Sequence, residues 1–372
     1  MVEKGGADMD DKSDILHFIR DNDIKFIRLA LCDLFGAQKN VSVPASAFPR
    51  ALEEGVLFDA DELGNMGAAG KLLIKPDVSA LALLPWRPSH GRVARFYCDT
   101  YTPEGGTFGL DMRAALREAE AKASQKGVRA NFSAGGAFYL LKTDERGLPT
   151  GEPYDSGGYM DIAPADRGEN VRRDICLYLE QMGVSPVESV HLSGPGQNEI
   201  KLGGASPLAA ADNAVTYRSV VRTVAAQSGL FASFDPSPMA GKPGSGLEIT
   251  VSGAEPAQVA AALAKARDMA LFTNPGANSF GRLCGENGEL VPAVEEDGRG
   301  GHVLRWPDPA ANPYIVVMLL LSAMAEGEDG SGTSFPKSRE EAVLAARESK
   351  FIRGHVPRPV LEAYAEPVPR DI

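Results

Sequence analysis

The sequence predicts an α+β protein, and three observations lead there. Extended segments crowd the first hundred residues. Runs of strands then alternate with long helical stretches, without the strict βαβ period of a parallel sheet. Between the two styles lies YTPEGGTFG (101–109), whose Gly, Pro and Thr content marks a linker.

The elements follow in order. SDILHFIR (13–20) is a short amphipathic helix, and KFIRLALC (25–32) and KNVSVP (39–44) flank a turn as a hairpin. SAFPRALEEG (46–55) is a helix with a glycine stop. LLIKPD (72–77), SALALLPW (79–86) and RVARFYCD (92–99) add extended segments. Helices are expected over 111–127, 168–183, 210–229, 256–274 and 312–327, and a last charged one over 338–349. FYLL within SAGGAFYLL (133–141) reads as a buried strand over 137–142, and SGLEITVSG (245–253) alternates as another. EDGSGTSFPKS (328–338) reads as a loop.

Composition narrows the function. The 372 residues suffice for two or three domains, and 44% hydrophobic with 24% charged residues is ordinary for a globular chain. A net charge of -12 with no basic, aromatic-studded cluster argues against nucleic acid as a partner. The four cysteines form no CxxC pair, so they read as reduced, packed thiols and not as a zinc knuckle. The start MVEKGGADMDDKSD is acidic and unlike a signal peptide. The longest apolar run, IVVMLLLSAMA (315–325), falls short of the roughly 20 residues that span a bilayer. A cytoplasmic protein without membrane contact is expected.

Several stretches, taken together and in register, resemble the glutamine synthetase family. They are RLALCDLFGAQKNVSVP (28–44), GVLFDADELGN (55–65), KPD…LPW (75–86), RVARFYCDTYTPEG (92–105), DSGGYMDIAPADRGENVRRDI (155–175), GPGQNEI (194–200), ADNAVTYRSVVRTVA (211–225), FDPSPMAGKPGSG (234–246), NPGANSFGRL (274–283) and DPAANPY (308–314). The resemblance implies an N-terminal β-grasp-like domain over 1–102. A catalytic-like domain with a curved antiparallel sheet flanked by helices follows over 103–372. It also implies ring-like oligomers and a place in nitrogen metabolism.

Family chemistry activates glutamate with ATP and uses Mg or Mn ions held by carboxylates and an imidazole. The resemblance aligns the two carboxylates of the family's Glu-x-Glu strand with Gly135 and Ala137. The next carboxylate aligns with Leu192, or with His191 if a gap is placed; for His191 a structural role and a ligand role are both open. Glu199 is the single retained ligand, either a residual metal ligand or a relic bonded within the sheet. The family's imidazole position holds Glu248, a possible oxygen substitute, and Val303 replaces the last glutamate. Asp59 and Tyr159 match the ammonium-site positions. Arg282 and Arg305 match substrate or phosphate contacts, with ion-pair roles as the alternative. Gly244, Ser245 and Gly246 keep the turn near glutamate. The intervening arginine-rich segment is shortened, keeps Arg299 and Arg305, and is filled with Glu286, Glu289, Glu295, Glu296 and Asp297.

A kept scaffold with removed ligands predicts a pseudoenzyme, with no cofactor bound at high affinity, that serves as a regulatory, scaffold or ligand-binding subunit. Its partners would be copies of itself or an active paralogue. The alternative is an active γ-glutamyl ligase, acting on ammonia or an amine with ATP and Mg or Mn in a rebuilt site.

Overall fold

The computed structural model describes residues 12–67, 70–87, 90–276, 278–283, 294–296, 298, 300–327 and 335–366. The chain forms two compact units. The first comprises Met1–Asp33, Gln38–Asp111 and Gln181–Gly183, and the second Leu34–Ala37, Met112–Glu180 and Val184–Ile372.

The first unit runs α1 (Lys12–Asp21), β1 (Ile24–Cys32), β2 (Gln38–Pro44), α2 (Phe48–Glu54), β3 (Val56–Asp59), β4 (Lys71–Leu83) and β5 (Arg92–Tyr101). Its sheet has the order β2-β1-β5-β4-β3, with β1 antiparallel to β2 and parallel to β5. Alternation sends Ile27, Leu29 and Leu31 into one core with Ile15 and Ile19 of α1, Phe48 of α2 and Phe96 of β5. Phe48 and Phe96 stack with centroids 5.1 Å apart. Gly55 ends α2 at φ +80°, and any Cβ there would lie 2.7 Å from the Ile74 carbonyl oxygen. The two extended segments expected at 72–77 and 79–86 are one strand, β4, whose register against β5 shifts between Pro76 and Leu81. The first turn expected of the helix over 46–55 is a 3-10 turn, and the α-helix itself begins at Phe48 with Pro49 in its first turn.

The second unit continues with α3 (Met112–Gln125), β6 (Asn131–Thr143), β7 (Pro149–Pro153), α4 (Glu169–Gln181), β8 (Pro186–His191) and β9 (Gln197–Leu202). Then come α5 (Pro207–Gln227), β10 (Leu230–Ser233), β11 (Leu247–Ser252), α6 (Pro256–Ala264), α7 (Ala266–Thr273) and α8 (Ser279–Leu283). The rest is β12 (Val294–Glu296), β13 (His302–Leu304), α9 (Pro313–Glu326), α10 (Arg339–Glu348), α11 (Lys350–His355) and α12 (Arg358–Ala365). The sheet is antiparallel throughout, in the order β12-β13-β11-β6-β9-β8, with β7 and β10 also paired to β6.

Three expectations need correction here. The central strand does not begin at 137: β6 starts at Asn131 and runs straight through Gly135 and Gly136, buried from Phe132 to Leu141. The helix expected over 256–274 is two helices, broken where Lys265 leaves helical geometry at φ -97°, ψ 1°. The charged helix near 338–349 is not the last, because α11 and α12 follow it.

Helices α3, α5 and α9 are joined by a buried polar knot. Arg113 grips Asp212 with two bonds, Nε to Oδ1 at 2.9 Å and Nη2 to Oδ2 at 2.8 Å. Tyr314 donates its hydroxyl to the same Asp212 Oδ1 at 2.7 Å. Such a bidentate pair fixes register as well as energy. No helix among the described residues is long and apolar enough to cross a membrane.

Candidate functional site

Residues paired across an antiparallel ladder project to the same face. On β6, Ala137 pairs with Glu199 of β9, Gly135 pairs with Glu248 of β11, and Ser133 pairs with Thr250. Thr250 pairs in turn with Val303 of β13. One face therefore gathers Gly135, Ala137, Val303, Glu199 and Glu248, the positions singled out from the sequence. Lys201, two residues beyond Glu199, shares it.

Gly135 is more than a missing carboxylate. A Cβ built there would lie 2.6 Å from the Ile200 carbonyl oxygen and 3.2 Å from the Leu202 amide nitrogen. The main chain of β9 thus occupies the space a side chain would need. Gly136, at φ +140°, is equally confined: a Cβ there would run into the Gly246 carbonyl. The Gly136 carbonyl accepts the Tyr217 hydroxyl at 2.6 Å.

The carboxylates at two of the family's ligand positions, the retained Glu199 and the substituted Glu248, are not idle. Glu248 is buried, and its Oε2 meets Arg305 Nε at 3.3 Å. Arg305 Nη1 reaches on to Glu295 Oε2 at 2.7 Å. Lys201 Nζ pairs with Glu188 Oε1 at 3.1 Å. Burial first, and then the Glu248 charge, push Glu199 up to about 7, against the pull of Lys201 and Arg305. Burial would lower Lys201, but its bond to Glu188 and the charges of Glu248 and Glu199 raise it instead.

The turn at Gly244, Ser245 and Gly246 is stitched to this sheet. The Tyr139 hydroxyl donates to Pro243 O at 2.6 Å, Gln197 Nε2 to Gly244 O at 3.0 Å, and the Ala137 amide to Gly246 O at 3.2 Å. Ser245 is fully buried. A Cβ at Gly244 would run into Arg282. Arg282 itself donates to the carbonyls of Arg305 (3.1 Å) and Trp306 (2.7 Å) and to Asn274 Oδ1 (3.3 Å). Its guanidinium braces two loops, the one after α7 and the one after β13, while burial lowers its basicity against the opposing pull of Asp308.

His191 faces the other way. It pairs with Asn198 while Val190 pairs with Glu199, so alternation puts the imidazole on the opposite face. There Asp155, Asp166 and His191 bring their polar atoms within 4.8 Å of one another. The group is internally satisfied. His191 Nε2 meets Asp155 Oδ1 at 3.0 Å, and Nδ1 meets Leu192 O at 2.7 Å. Asp166 is held by Arg172, Nη2 to Oδ2 at 2.6 Å, and Arg172 Nη1 also reaches Asn198 Oδ1 at 2.5 Å. Asp155 accepts further bonds from the amides of Gly196 (2.7 Å), Arg167 (3.1 Å) and Gly157 (3.3 Å). Burial raises Asp155, but His191 and those amides outweigh it and hold the carboxyl below the usual range. The half-buried Leu192 closes the β8–β9 connection, its amide bonded to Gln197 O at 2.8 Å.

The loop that this hub secures carries Tyr159, 64% exposed, and its neighbour Met160 donates to His191 O at 3.0 Å. Asp59 lies in the first unit, exposed at the end of β3, and accepts the Asp61 amide at 3.1 Å. Glu286, Glu289, Asp297 and Arg299 lie outside the described residues. Sequence reasoning missed Lys201, Asp155, Tyr139 and Gln197. Lys201 was within reach, because alternation from Glu199 places it on the same face. Asp155 carried a weaker signal, an aspartate opening a Ser-Gly-Gly turn.

A five-stranded mixed sheet in one unit and an eight-stranded antiparallel sheet in the other define a two-unit α+β protein. The glutamine synthetase β-grasp domain matches residues 23–103, and the glutamine synthetase catalytic domain matches residues 109–258. Glutamine synthetase of Clostridium saccharobutylicum is 35% identical over 85% of this chain and 79% of its own length. That of Methanosarcina mazei is 32% identical over 92% of this chain and 90% of its own length. Among solved structures, one described as "Apo GmaS without ligand" is 25% identical, covers 95% of this chain and 94% of its own, and has a TM-score of 0.82. Another, "GmaS/ADP complex-Conformation 1", is 25% identical over 94% and 93%, with a TM-score of 0.81. The chain belongs to the glutamine synthetase family.

Enzymes of this family use ATP and divalent metals. The residues on the sheet face do not fit such ions. Gly135, Ala137 and Val303 offer no side-chain ligand, and Glu248 is already paired with Arg305. Among the described residues that leaves Glu199 as the family-position carboxylate outside an ion pair, and a hard cation on a single carboxylate must draw the rest of its six or more oxygens from water and substrate phosphates.

Proposed function

We propose that this chain is a glutamine synthetase-like protein that does not carry out ATP-dependent ligation and acts as a regulatory, scaffold or ligand-binding subunit. The observation that carries the reading is the approach of β9 to Gly135, 2.6 Å from Ile200 O to a built Cβ, which leaves no room for the carboxylate. The engagement of Arg305 by two carboxylates and of Arg282 by main-chain carbonyls supports it, since both turn toward the protein's own acceptors. In this reading the protein is cytoplasmic and assembles with itself or with an active paralogue. Neither Mg, Mn nor ATP binds tightly, and Asp59, Tyr159 and the turn at Gly244, Ser245 and Gly246 are vestiges of substrate sites.

The test is ADP release by purified protein with ATP, glutamate and either ammonia or methylamine, in Mg²⁺ and in Mn²⁺. No release above background is expected. Metal-dependent ADP formation that requires glutamate overturns the reading.

A second reading is an active γ-glutamyl ligase with a rebuilt centre. It draws on Glu199 and Glu248 sharing one face and on the likeness to the GmaS structures. It expects Glu199→Gln to abolish the same ADP release.

A further inference from the structure

The charged side chains on the sheet face form an ordered row. Glu188 of β8 is paired with Lys201 of β9 in the ladder and by an ion pair of 3.1 Å. Gly136 pairs with Ile200, so the same register carried one step sets Gly135 opposite Lys201. Gly135 pairs on its other side with Glu248. Glu248 meets Arg305, and Arg305 meets Glu295 of β12. Across the sheet the signs read minus, plus, blank, minus, plus, minus.

The blank is Gly135. Because the middle strand carries no side chain there, and only a methyl at Ala137, charges from the strands on either side act on one another above it. Lys201 is drawn by Glu248 as well as by Glu199, and Glu199 by Arg305. Two like carboxylates on one face need positive charge between them. In the metal-dependent enzymes of this family, divalent ions supply it. Here the chain supplies it from Lys201 and Arg305.

We infer that Lys201 and Arg305 are built-in cations that take the electrostatic place of the family's divalent ions, closing the Glu188–Lys201–Glu248–Arg305–Glu295 row against metal. The inference deepens the non-ligase reading and rests on it in one respect, that this face is not used for metal-assisted phosphoryl transfer. It makes a claim that reading lacks: metal is excluded by resident charge, so removing that charge should admit it.

The experiment is calorimetric titration of the full chain with Mn²⁺ alone, without ATP, glutamate or amine. Wild type, Arg305→Gln, Lys201→Gln and the double variant are compared, with thermal melts to establish folding. Wild type should give no binding heat below about 1 mM, the weak end of oxygen-ligand sites. Each single variant should bind Mn²⁺ below that limit, and the double variant with a Kd about tenfold or more below it, because like charges beside the dication have been removed. Adding Glu248→Gln should abolish the gain. Tight binding by wild type that neither single variant alters overturns the inference, as does a folded double variant as silent as wild type. Should the double variant not fold, the single variants decide by the same criterion. Arg305→Lys and Lys201→Arg, which keep the charges, must stay silent, and Mn²⁺ binding by them counts against it. Mn²⁺ binding to wild type without ADP formation would sink the charge row and the expectation of weak metal binding, and leave standing only the absence of ligation. ADP formation would sink that reading whatever the titration shows.

Discussion

Replacing Gly135 by alanine tests the closed sheet directly. No left-handed backbone is involved at this glycine, so the only folded-state cost is space. The added Cβ would sit 2.6 Å from Ile200 O and 3.2 Å from Leu202 N, where ordinary contact begins at 3.4 Å. Both are main-chain atoms of β9, paired to β6 on one side and β8 on the other, so neither can swing aside like a side-chain end. Forcing extra volume into a closed site costs about 1–3 kcal/mol. The stiffer unfolded chain returns about 0.4–1 kcal/mol. The net expectation is a loss of about 1–2 kcal/mol, read as an apparent Tm lower by roughly 2–8 °C for a unit of this size. Gly281, exposed in α8 with nothing within 4 Å of a built Cβ, is the control. There the same substitution should be neutral or gain about 0.4–1 kcal/mol. The assay is thermal and urea unfolding of both variants beside wild type. A Gly135→Ala protein as stable as wild type would mean that β9 yields, and the claim that no carboxylate fits at this position would fall.

Other outcomes follow from the same geometry. Glu199 has its folded-state pKa raised from 4.5 to about 7, so it weakens the fold as pH rises through that window, fully above 7 and not at all below 4.5. The displacement corresponds to on the order of 3 kcal/mol, so Glu199→Gln should raise stability at pH 8 and flatten the profile of Tm against pH between 5 and 8; an unchanged profile refutes this. Asp155 is depressed, so its contribution is present above its unfolded value near 3.8 and fades as pH falls through the lower folded value. Asp155→Asn should cost about 2–4 kcal/mol at pH 7 and less below pH 4, measured by urea unfolding at both pH values. Arg113→Met leaves the buried Asp212 carboxylate with only Tyr314 of its described side-chain partners, and should cost about 3–5 kcal/mol; a loss under 1 kcal/mol in denaturant unfolding would contradict the network.

Most of the scaffold was legible because its signals are strong and local. Gly55 stops a helix, 312–327 is apolar enough to be buried on all sides, and the hairpin brackets its own turn. What escaped was decided by partners far along the chain. PVESVH and QNEIKL are polar and short, and become β8 and β9 only because β6 offers a ladder. The Gly135–Gly136 pair looks like a strand opening, because glycine weakens a strand in isolation; main chain pressed from both sides makes it the middle of one. At the site, the resemblance marked Glu199 and Glu248 as ligand positions, and the ladder through β6 puts them on one face. The sequence could not say that Arg305 turns back onto Glu248, or that the Arg282 Nη atoms turn to main-chain carbonyls.

The close seat of β9 over Gly135 has a consequence for heredity. A substitution that places glutamate at 135 meets backbone, and one at 137 adds a third carboxylate to a face whose two cations are already shared. Each single step toward a carboxylate-rich face meets a cost before the next is in place. Such a face therefore requires several coordinated changes, in β9 as well as in β6, and single substitutions are steered away from it. The glycine pair acts as a ratchet that holds these two positions without side chains.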